Sequence, residues 1–159
     1  MPFAVNPMRE EQARLLVAWR YEGMDARYNM SPEDYDEVMS GAYYAVTDDH
    51  DDLIGFFSFG PPAQVPGGHI AGAYAEENAL DVGLGLRPDL TGRGMGKDFL
   101  KAGCAFAQRQ FAPAVLRLSV ITINRRAIRL YENAGFQVGP RFLSATPSGD
   151  TEFLLMTKE

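Results

Sequence analysis

The chain has 159 residues, of which 46% are hydrophobic and 23% are charged. This composition excludes intrinsic disorder, and the length suits one domain with a buried core. The net charge of −6 argues against a general nucleic-acid binder, and no apolar run approaches the ~18–20 residues of a membrane span.

The first 41 residues predict a short strand and two helices. Residues 3–5 are typical of an edge strand, and residues 7–21 predict a helix because acidic residues precede its apolar positions. Residues 22–30 suit a loop or a short helix. A second helix is predicted over residues 31–40, with Ser31 as N-cap, Pro32 in the first turn and Gly41 at its end.

Residues 42–47 and 53–59 predict a β-hairpin whose turn is DDHDD. Residues 61–78 begin with two prolines, contain a third in a VPGGH stretch, and predict a long connection. Long connections of this kind are often functional.

The second half predicts a strand at 80–86, a helix at 94–111, a buried strand at 115–122 and a helix at 125–133. An antiparallel pair at 137–145 and 151–156 closes the chain. This order is not a strict βαβ alternation. It favours an α+β sandwich, one domain over residues 1–159, with helices packed on a mixed and mostly antiparallel sheet.

Glycines at 92, 94 and 96 lie between the predicted strand at 80–86 and the body of the next helix. The first turn of a helix has N–H groups without partners and carries a partial positive charge, and Arg93 and Lys97 add full charges. This pattern predicts a phosphate or diphosphate site. A Walker loop and a dinucleotide fingerprint are excluded by spacing, since Thr91 and Lys97 stand where each would need glycine. The alternative is a flexible turn without a ligand.

Two segments resemble the GCN5-related N-acetyltransferases. TGRGMGKDFL is similar to that family's diphosphate-binding pattern Gln/Arg-x-x-Gly-x-Gly/Ala through Gly94 and Gly96, with Thr91 as a departure at the Gln/Arg position. The second segment, VITINRRAIRLYENAGF, matches the family's strand–Asn–helix segment through Asn124, Ala127, Leu130, Tyr131, Glu132, Gly135 and Phe136. The resemblance covers about residues 53–136 and implies a fold with splayed fourth and fifth strands and helices on both faces of the sheet.

The resemblance also implies acetyl-CoA as the cofactor. The family's pantetheine arm lies between the splayed strands, which would account for Gly83 and Gly85 inside a strand; the alternative is a bulge without a ligand. Asn124 would bind the arm or order water, and its alternative is a plain helix N-cap. The residues expected to bind the coenzyme are Leu84, Leu86, Thr91, Gly92, Arg93, Gly94, Met95, Gly96, Lys97, Asn124 and Tyr131.

The reaction implied is direct attack of a primary amine on the thioester. The amine arrives mainly as ammonium, with a pKa near ~10.4, so a base is required. Asp81 holds the place of the family's strand-four acid and is predicted as this base; its alternative is a solvated acid. Tyr131 matches the family's general acid for the departing thiolate, and its alternative is a core aromatic.

Other residues of the region have weaker assignments. Glu76, Glu77 and His69 are alternative bases. Trp19, Tyr21, Tyr28 and Tyr35 supply aromatic faces for the amine, although Trp19 also suits core packing. No His and Cys spacing suggests a metal site.

Charge is unevenly distributed along the chain. Residues 1–81 hold 15 acids and 4 bases, net −11, and residues 82–159 hold 6 acids and 11 bases, net +5. The basic part suits a polyanionic coenzyme and the acidic part a cationic amine, unless its acids are only solvated turns. The single Cys104 and the N-terminus without a secretory core predict a cytoplasmic protein, with neither nucleic acid nor membrane as partner. A homodimer is compatible with the sequence. The rival functions are a non-catalytic acyl-CoA-binding module and an interaction protein that docks through its acidic first half.

Overall fold

The computed structural model describes residues 3–159. In these residues the strands are β1 Ala4–Pro7, β2 Tyr43–Thr47, β3 Leu53–Phe59, β4 Ala79–Leu86, β5 Val115–Ile121, β6 Gln137–Thr146 and β7 Gly149–Lys158. The α-helices are α1 Glu10–Ala18, α2 Tyr35–Val38, α3 Pro66–Ile70, α4 Gly96–Phe111 and α5 Arg125–Asn133. Short 3₁₀ turns lie at Gly23–Tyr28, Pro32–Asp34, Pro61–Ala63 and Pro88–Leu90.

The strands form one seven-stranded sheet in the order β1-β2-β3-β4-β5-β7-β6. β1 with β2, β2 with β3, β5 with β7 and β6 with β7 are antiparallel, whereas β4 and β5 are parallel. The parallel register covers only Ala79 to Asp81 of β4 and Val115 to Arg117 of β5. The α+β class and the splay between the fourth and fifth strands are thereby confirmed.

The chain divides into two compact units. The first unit comprises the described residues up to Ser58 together with Leu84–Gly103. The second unit comprises Phe59–Gly83 together with Cys104–Glu159. The boundaries fall inside β3, inside β4 and inside α4. The single domain over residues 1–159 remains a prediction.

The first unit buries both faces of its strands. Because side chains alternate along a strand, Phe56 and Phe57 point to opposite faces of β3. Phe56 packs against the core formed with α1 and α2, whose buried members include Leu16, Val38 and Ala45. Phe57 stacks on Phe99 of α4, with ring centroids 4.7 Å apart. Helices therefore cover both faces of the sheet in this unit, as expected.

The second unit is organised on the β5-β7-β6 strands. Ile121, Phe142, Phe153 and Leu155 form a buried cluster, and Val65, Ala73 and Tyr74 from the connection after β3 pack against it. Cys104 of α4 is half-buried and unpaired, and burial raises the pKa of its thiol. This is the environment of an unreactive core cysteine.

Several boundaries differ from the predicted ones for local reasons. The fourth helix begins at Gly96 rather than at residue 94, because Gly94 has φ of 78°, which is left-handed backbone outside a helix. The connection at 61–78 contains α3, which a five-residue PGGHI segment does not reveal by periodicity. None of the described helices combines the length and the apolar character that crossing a bilayer requires.

Candidate acetyl-transfer site

The glycine loop, residues 91–97, joins β4 to α4 through the 3₁₀ turn Pro88–Leu90. The Thr91 hydroxyl donates to the Pro88 carbonyl at 2.9 Å, so this side chain closes the turn. Gly92 and Gly94 both have positive φ, and a Cβ placed on Gly94 would meet nothing within 4 Å. The loop is therefore bent by backbone conformation, with clear space outside Gly94.

The loop delivers unpaired backbone donors at the start of α4. The first hydrogen bond of the helix runs from the Phe99 N–H to the Met95 carbonyl at 3.0 Å. The N–H groups of Gly96, Lys97 and Asp98 precede it and have no backbone partner among the described residues. A helix of 16 residues adds its dipole at this end. The arrangement is suited to an anion.

Two side-chain charges of the loop are directed to solvent. Arg93 and Lys97 are exposed and form no ion pair with any described residue. Arg87, by contrast, is engaged: it binds Asp89 through Nε at 2.7 Å and donates from Nη1 to the Leu53 carbonyl at 3.0 Å. The hydrogen bond from Arg87, with the nearby charges of Arg87 and Arg93, lowers the pKa of Asp89. Arg87 therefore fixes the end of β4.

The backbone of β4 presents two edges. The Arg87 N–H donates to the Ile54 carbonyl of β3 at 2.8 Å. Since consecutive residues of a strand point their N–H and C=O groups to opposite sides, Leu84 and Leu86 direct theirs away from β3. The Leu86 carbonyl accepts a hydrogen bond from the Tyr21 hydroxyl. Burial, and to a smaller extent Asp25, raises the pKa of Tyr21 to about 12, so its phenol remains a donor.

Gly85 of β4 is required by a neighbour within the protein. A Cβ at this position would collide with the Phe56 ring. Close approach was the predicted reason for a glycine here, and the approaching group on this face is an aromatic side chain. Gly85 therefore does not by itself indicate a ligand, and only the backbone N–H and C=O groups at the edge of β4 do so.

Asn124 is the N-cap of α5, which begins at Arg125, and Tyr131 lies within this helix. The Asn124 side chain accepts from the Ala127 N–H at 3.2 Å and so caps the helix. Tyr131 follows seven residues later, about two helical turns, and therefore shares a face with Asn124. It is buried, and its ring lies 6.1 Å from that of Phe136. The N-cap role of Asn124 is thus observed, and the coenzyme roles of both residues remain predictions.

Asp81 is buried, and its carboxylate is engaged within the protein. Its carboxylate is 4% exposed and binds the Arg117 guanidinium at both ends, Oδ1 to Nε at 2.6 Å and Oδ2 to Nη2 at 2.7 Å. Gln64 Nε2 donates to the same Oδ2 at 2.7 Å. Both carboxylate oxygens are therefore occupied by charged and amide donors from within the protein. The geometry supports a structural task for Asp81, and its assignment as the base remains a prediction.

Arg117 belongs to a wider buried network. Tyr74 lies under its guanidinium, 5.0 Å from ring centroid to Cζ, and the Tyr74 hydroxyl bonds Ser119 Oγ at 2.7 Å. We call Asp81, Arg117, Gln64, Tyr74 and Ser119 the Asp81 cluster. The hydrogen bond to Asp81 raises the pKa of Arg117, so it stays charged. Sequence reasoning missed this network, although an arginine inside the apolar run VLRLSVI requires a buried partner.

The remaining candidates are spread over the surface and the core. Glu76, Glu77 and His69 are exposed, and His69 packs edge-on against Tyr74 at 5.0 Å. Trp19 and Tyr35 pack against the α1 and α2 core, whereas Tyr28 is 40% exposed. Within residues 3–159 no group of three or more His, Cys, Asp or Glu side chains is placed to hold a metal ion.

The motifs and the fold agree with a known family. The model of the acetyltransferase (GNAT) family matches residues 7–136. The chain belongs to this family. The resemblance inferred from the glycine loop and the α5 segment is thereby confirmed. Membership also confirms the prediction that the chain is an acyltransferase.

One curated relative shows similarity in sequence. Mycothiol acetyltransferase of Streptomyces coelicolor (strain ATCC BAA-471 / A3(2) / M145) is 35% identical over 86 residues, which is 54% of this chain. The chain spans 28% of the length of that relative. The match therefore agrees with the family assignment. It does not assign the activity of the whole relative to this chain.

Solved GNAT structures share the fold over nearly the whole chain. A putative phosphinothricin N-acetyltransferase superposes with a TM-score of 0.76 at 18% identity, covering 99% of this chain and 98% of that one. A spermidine N-acetyltransferase SpeG chimera from Vibrio cholerae and hSSAT gives 0.74 at 15% identity, covering 99% and 95%. A GNAT-family acetyltransferase from Bacillus anthracis gives 0.75 at 11% identity, covering 99% and 94%. At such identities the likeness concerns the fold.

Proposed function

We propose that this chain is an acetyl-CoA-dependent N-acetyltransferase that transfers an acetyl group to a primary amine by direct attack. Membership of the GNAT family supports the reaction class. The observation in this chain that carries the proposal is the start of α4, where the N–H groups of Gly96, Lys97 and Asp98 have no backbone partner among the described residues. These N–H groups follow the glycine loop, in which the space beside Gly94 is open.

In this proposal the diphosphate of the coenzyme binds the backbone of residues 92–98. Arg93 and Lys97 add charge attraction, because both are exposed and neither is paired with a described residue. Thr91 contributes by shaping the turn, since its hydroxyl is bonded to Pro88. The polar backbone edge of Leu84 and Leu86 binds the pantetheine arm as an added strand would.

When bound, acetyl-CoA supplies a thioester carbonyl that an amine can attack. The amine nitrogen forms a bond to the acyl carbon and loses one proton to solvent, the carbon–sulfur bond breaks, and the departing sulfur takes up a proton. Tyr131 donates that proton in our proposal, because a phenol stays protonated at neutral pH. Its burial on α5 keeps the group ordered.

The proton of the incoming ammonium leaves without help from Asp81, whose oxygens are held by Arg117 and Gln64. Without a dedicated base, the attacking species is the small free-amine fraction. The rate at fixed coenzyme concentration then rises with pH toward the pKa of the amine, near ~10.4 for a lysine-like amine.

The acceptor that best suits the chain is a cationic amine. Residues 1–81 carry a net charge of −11, which attracts a cation over long range at low salt. Two of the structural relatives are named for spermidine and phosphinothricin, both of which present a primary amine, and of these the polycationic spermidine suits the acidic surface better.

The test is release of free coenzyme A thiol from acetyl-CoA in the presence of an amine panel that includes spermidine and phosphinothricin. We expect release with at least one cationic amine, and formation of the acetylated amine by mass spectrometry. Coenzyme A binding without release on any amine would favour the binding module instead. Absence of coenzyme A binding would overturn the proposal entirely.

A further inference from the structure

The parallel pairing of β4 with β5 ends at one particular residue pair. Asp81 and Arg117 are register partners, and they are the last of the three pairs that join the two strands. They are also the two residues of the buried ion pair, with side chains 4% and 3% exposed. The last register pair between the two strands is thus also a buried ion pair.

Asp81 is held from two directions at this point. Its carboxylate is tied to β5 through Arg117, and its backbone carbonyl accepts from the Gly60 N–H, just after β3, at 2.9 Å. Gln64, from the same segment as Gly60, adds its bond to the carboxylate. A residue fixed by main chain on one side and by side chain on the other has little freedom to shift along the strand.

A ladder of three parallel pairs is weak without such a fastening. Parallel pairing is slightly less stable per residue than antiparallel pairing, and short ladders open readily at their ends. A bidentate Arg–carboxylate contact is directional, and one between register partners fixes both distance and register. Buried ion pairs often add little net stability compared with apolar residues, so their value is in specifying one arrangement.

We propose that the Asp81–Arg117 ion pair fastens the base of the split between β4 and β5 and thereby positions the backbone of β4 for the coenzyme. This inference rests on the proposed function for its ligand, and it makes Asp81 and Arg117 positioning residues. Gln64 and Tyr74 support the pair, one on the carboxylate and the other under the guanidinium.

The experiment replaces the pair by apolar residues of similar size, Asp81→Leu with Arg117→Met. This change avoids leaving one charge buried alone, which alone could prevent folding. We expect a melting temperature close to that of the wild type, and coenzyme A affinity by calorimetry at least about 10-fold weaker. Arg117→Lys, which keeps the charge and loses the bidentate contact, should give an intermediate loss of about 3-fold.

A matched control is the cross-strand ion pair between Arg141 of β6 and Glu152 of β7, at 3.6 Å and largely exposed. The Arg141→Met, Glu152→Leu variant should bind coenzyme A as the wild type does. A folded Asp81→Leu, Arg117→Met variant with wild-type affinity would overturn the inference. If that variant does not fold, wild-type affinity in Arg117→Lys overturns it equally.

Hydrogen exchange separates this inference from the proposed function, because it needs no ligand. In the coenzyme-free Asp81→Leu, Arg117→Met variant, the amides that face the β4–β5 ladder, Leu80 in one strand and residues 115 and 117 in the other, should exchange at least about 10-fold faster, while those of β6 stay unchanged. Unchanged exchange at both segments would reject the fastening role, whether or not the protein binds coenzyme A. Faster exchange in a protein that never binds coenzyme A would reject only the proposed function.

Discussion

The glycine loop and the Asp81 cluster differ in which part of the chain supplies their hydrogen bonds. In the loop the donors are backbone N–H groups, the surroundings are exposed, and the shape comes from the positive φ of Gly92 and Gly94. In the Asp81 cluster the donors and acceptors are side chains, and the central ion pair is buried. One region leaves backbone N–H groups without a backbone partner among the described residues, whereas the other satisfies its polar groups internally.

This difference shows that hydrogen-bond satisfaction distinguishes a candidate ligand site from a structural network. A buried charged pair attracts attention as a catalytic candidate, yet Asp81 already has three donors on its two oxygens. The loop contains no acid or base poised for chemistry, yet the first amides of α4 have no backbone partner among residues 3–159. We therefore propose that unsatisfied backbone donors, rather than perturbed charges, identify the binding site in this chain.

The largest effect should come from breaking the Asp81 cluster on one side only. Arg117→Met leaves the Asp81 carboxylate buried without its cation, and we expect a loss of about 3–5 kcal/mol in the free energy of unfolding. Urea denaturation followed by circular dichroism measures it. The double variant with Asp81→Leu should recover most of the loss. Equal stabilities of the single and double variants would show that the pair is not energetically coupled.

In the glycine loop, Gly94→Glu should weaken coenzyme A binding by about 100-fold or more. The variant places a negative charge where a diphosphate is proposed, and repulsion at ~4 Å costs about 1–4 kcal/mol near a surface. Gly94→Gln is the matched control, because it shares the size and the strain at φ of 78° without the charge. Calorimetry should show a clearly smaller loss for Gly94→Gln; identical affinities for the two variants would argue against an anion at this loop.

Tyr131→Phe should lower turnover by about 100-fold, the lower range for loss of a general acid, with coenzyme A affinity changed less than about 3-fold. The measurement is thiol release with the best amine of the panel. Tyr43→Phe removes a different buried phenol and should keep turnover. Full activity of Tyr131→Phe would exclude the proton-donor role and leave Tyr131 as a core aromatic.

The smallest effect is expected for Tyr21→Phe, which removes the hydrogen bond to the Leu86 carbonyl and should cost about 1 kcal/mol of stability at pH 8. The pKa of Tyr21 is about 12 in the folded chain and 10.0 ordinarily, so above pH 10 the unfolded chain loses this proton first. Stability is then lost as pH rises from 10 to 12.

Denaturation at pH 8 and pH 11 tests this sign. Tyr43 has a pKa of about 12 for the same main reason, burial, and adds to the fall. The wild type should lose more stability between the two pH values than Tyr21→Phe does. An equal loss in both proteins would mean that the Tyr21 phenol is not held in its neutral form by the fold.

Local patterns allowed much of this fold to be predicted. The glycine loop and the α5 segment identified the family because the matching residues lie close together in sequence: Gly94 and Gly96 in the loop, and Asn124 and Tyr131 at the N-cap and within the helix. The predicted bounds of α5 are the observed ones. The start of α4 was misplaced by two residues, since periodicity does not reveal that Gly94 adopts a left-handed conformation.

Contacts between distant segments could not be predicted in the same way. Asp81 and Arg117 are 36 positions apart, and only the register of β4 with β5 brings them together. Arg117 in an apolar strand signalled a buried partner without naming it. Gly85 suggested a close approach, but the ring that fills the space, Phe56, became known only from the packing of β3 against β4.

The most direct test of the account is a crystal structure of the protein soaked with coenzyme A. The account predicts diphosphate oxygens at about 2.7–3.2 Å from the N–H groups of residues 94–98, with the arm running along the backbone of Leu84 and Leu86. A loop without bound diphosphate in crystals that contain the coenzyme elsewhere, or a loop whose amides are covered by the protein's own side chains, would contradict it.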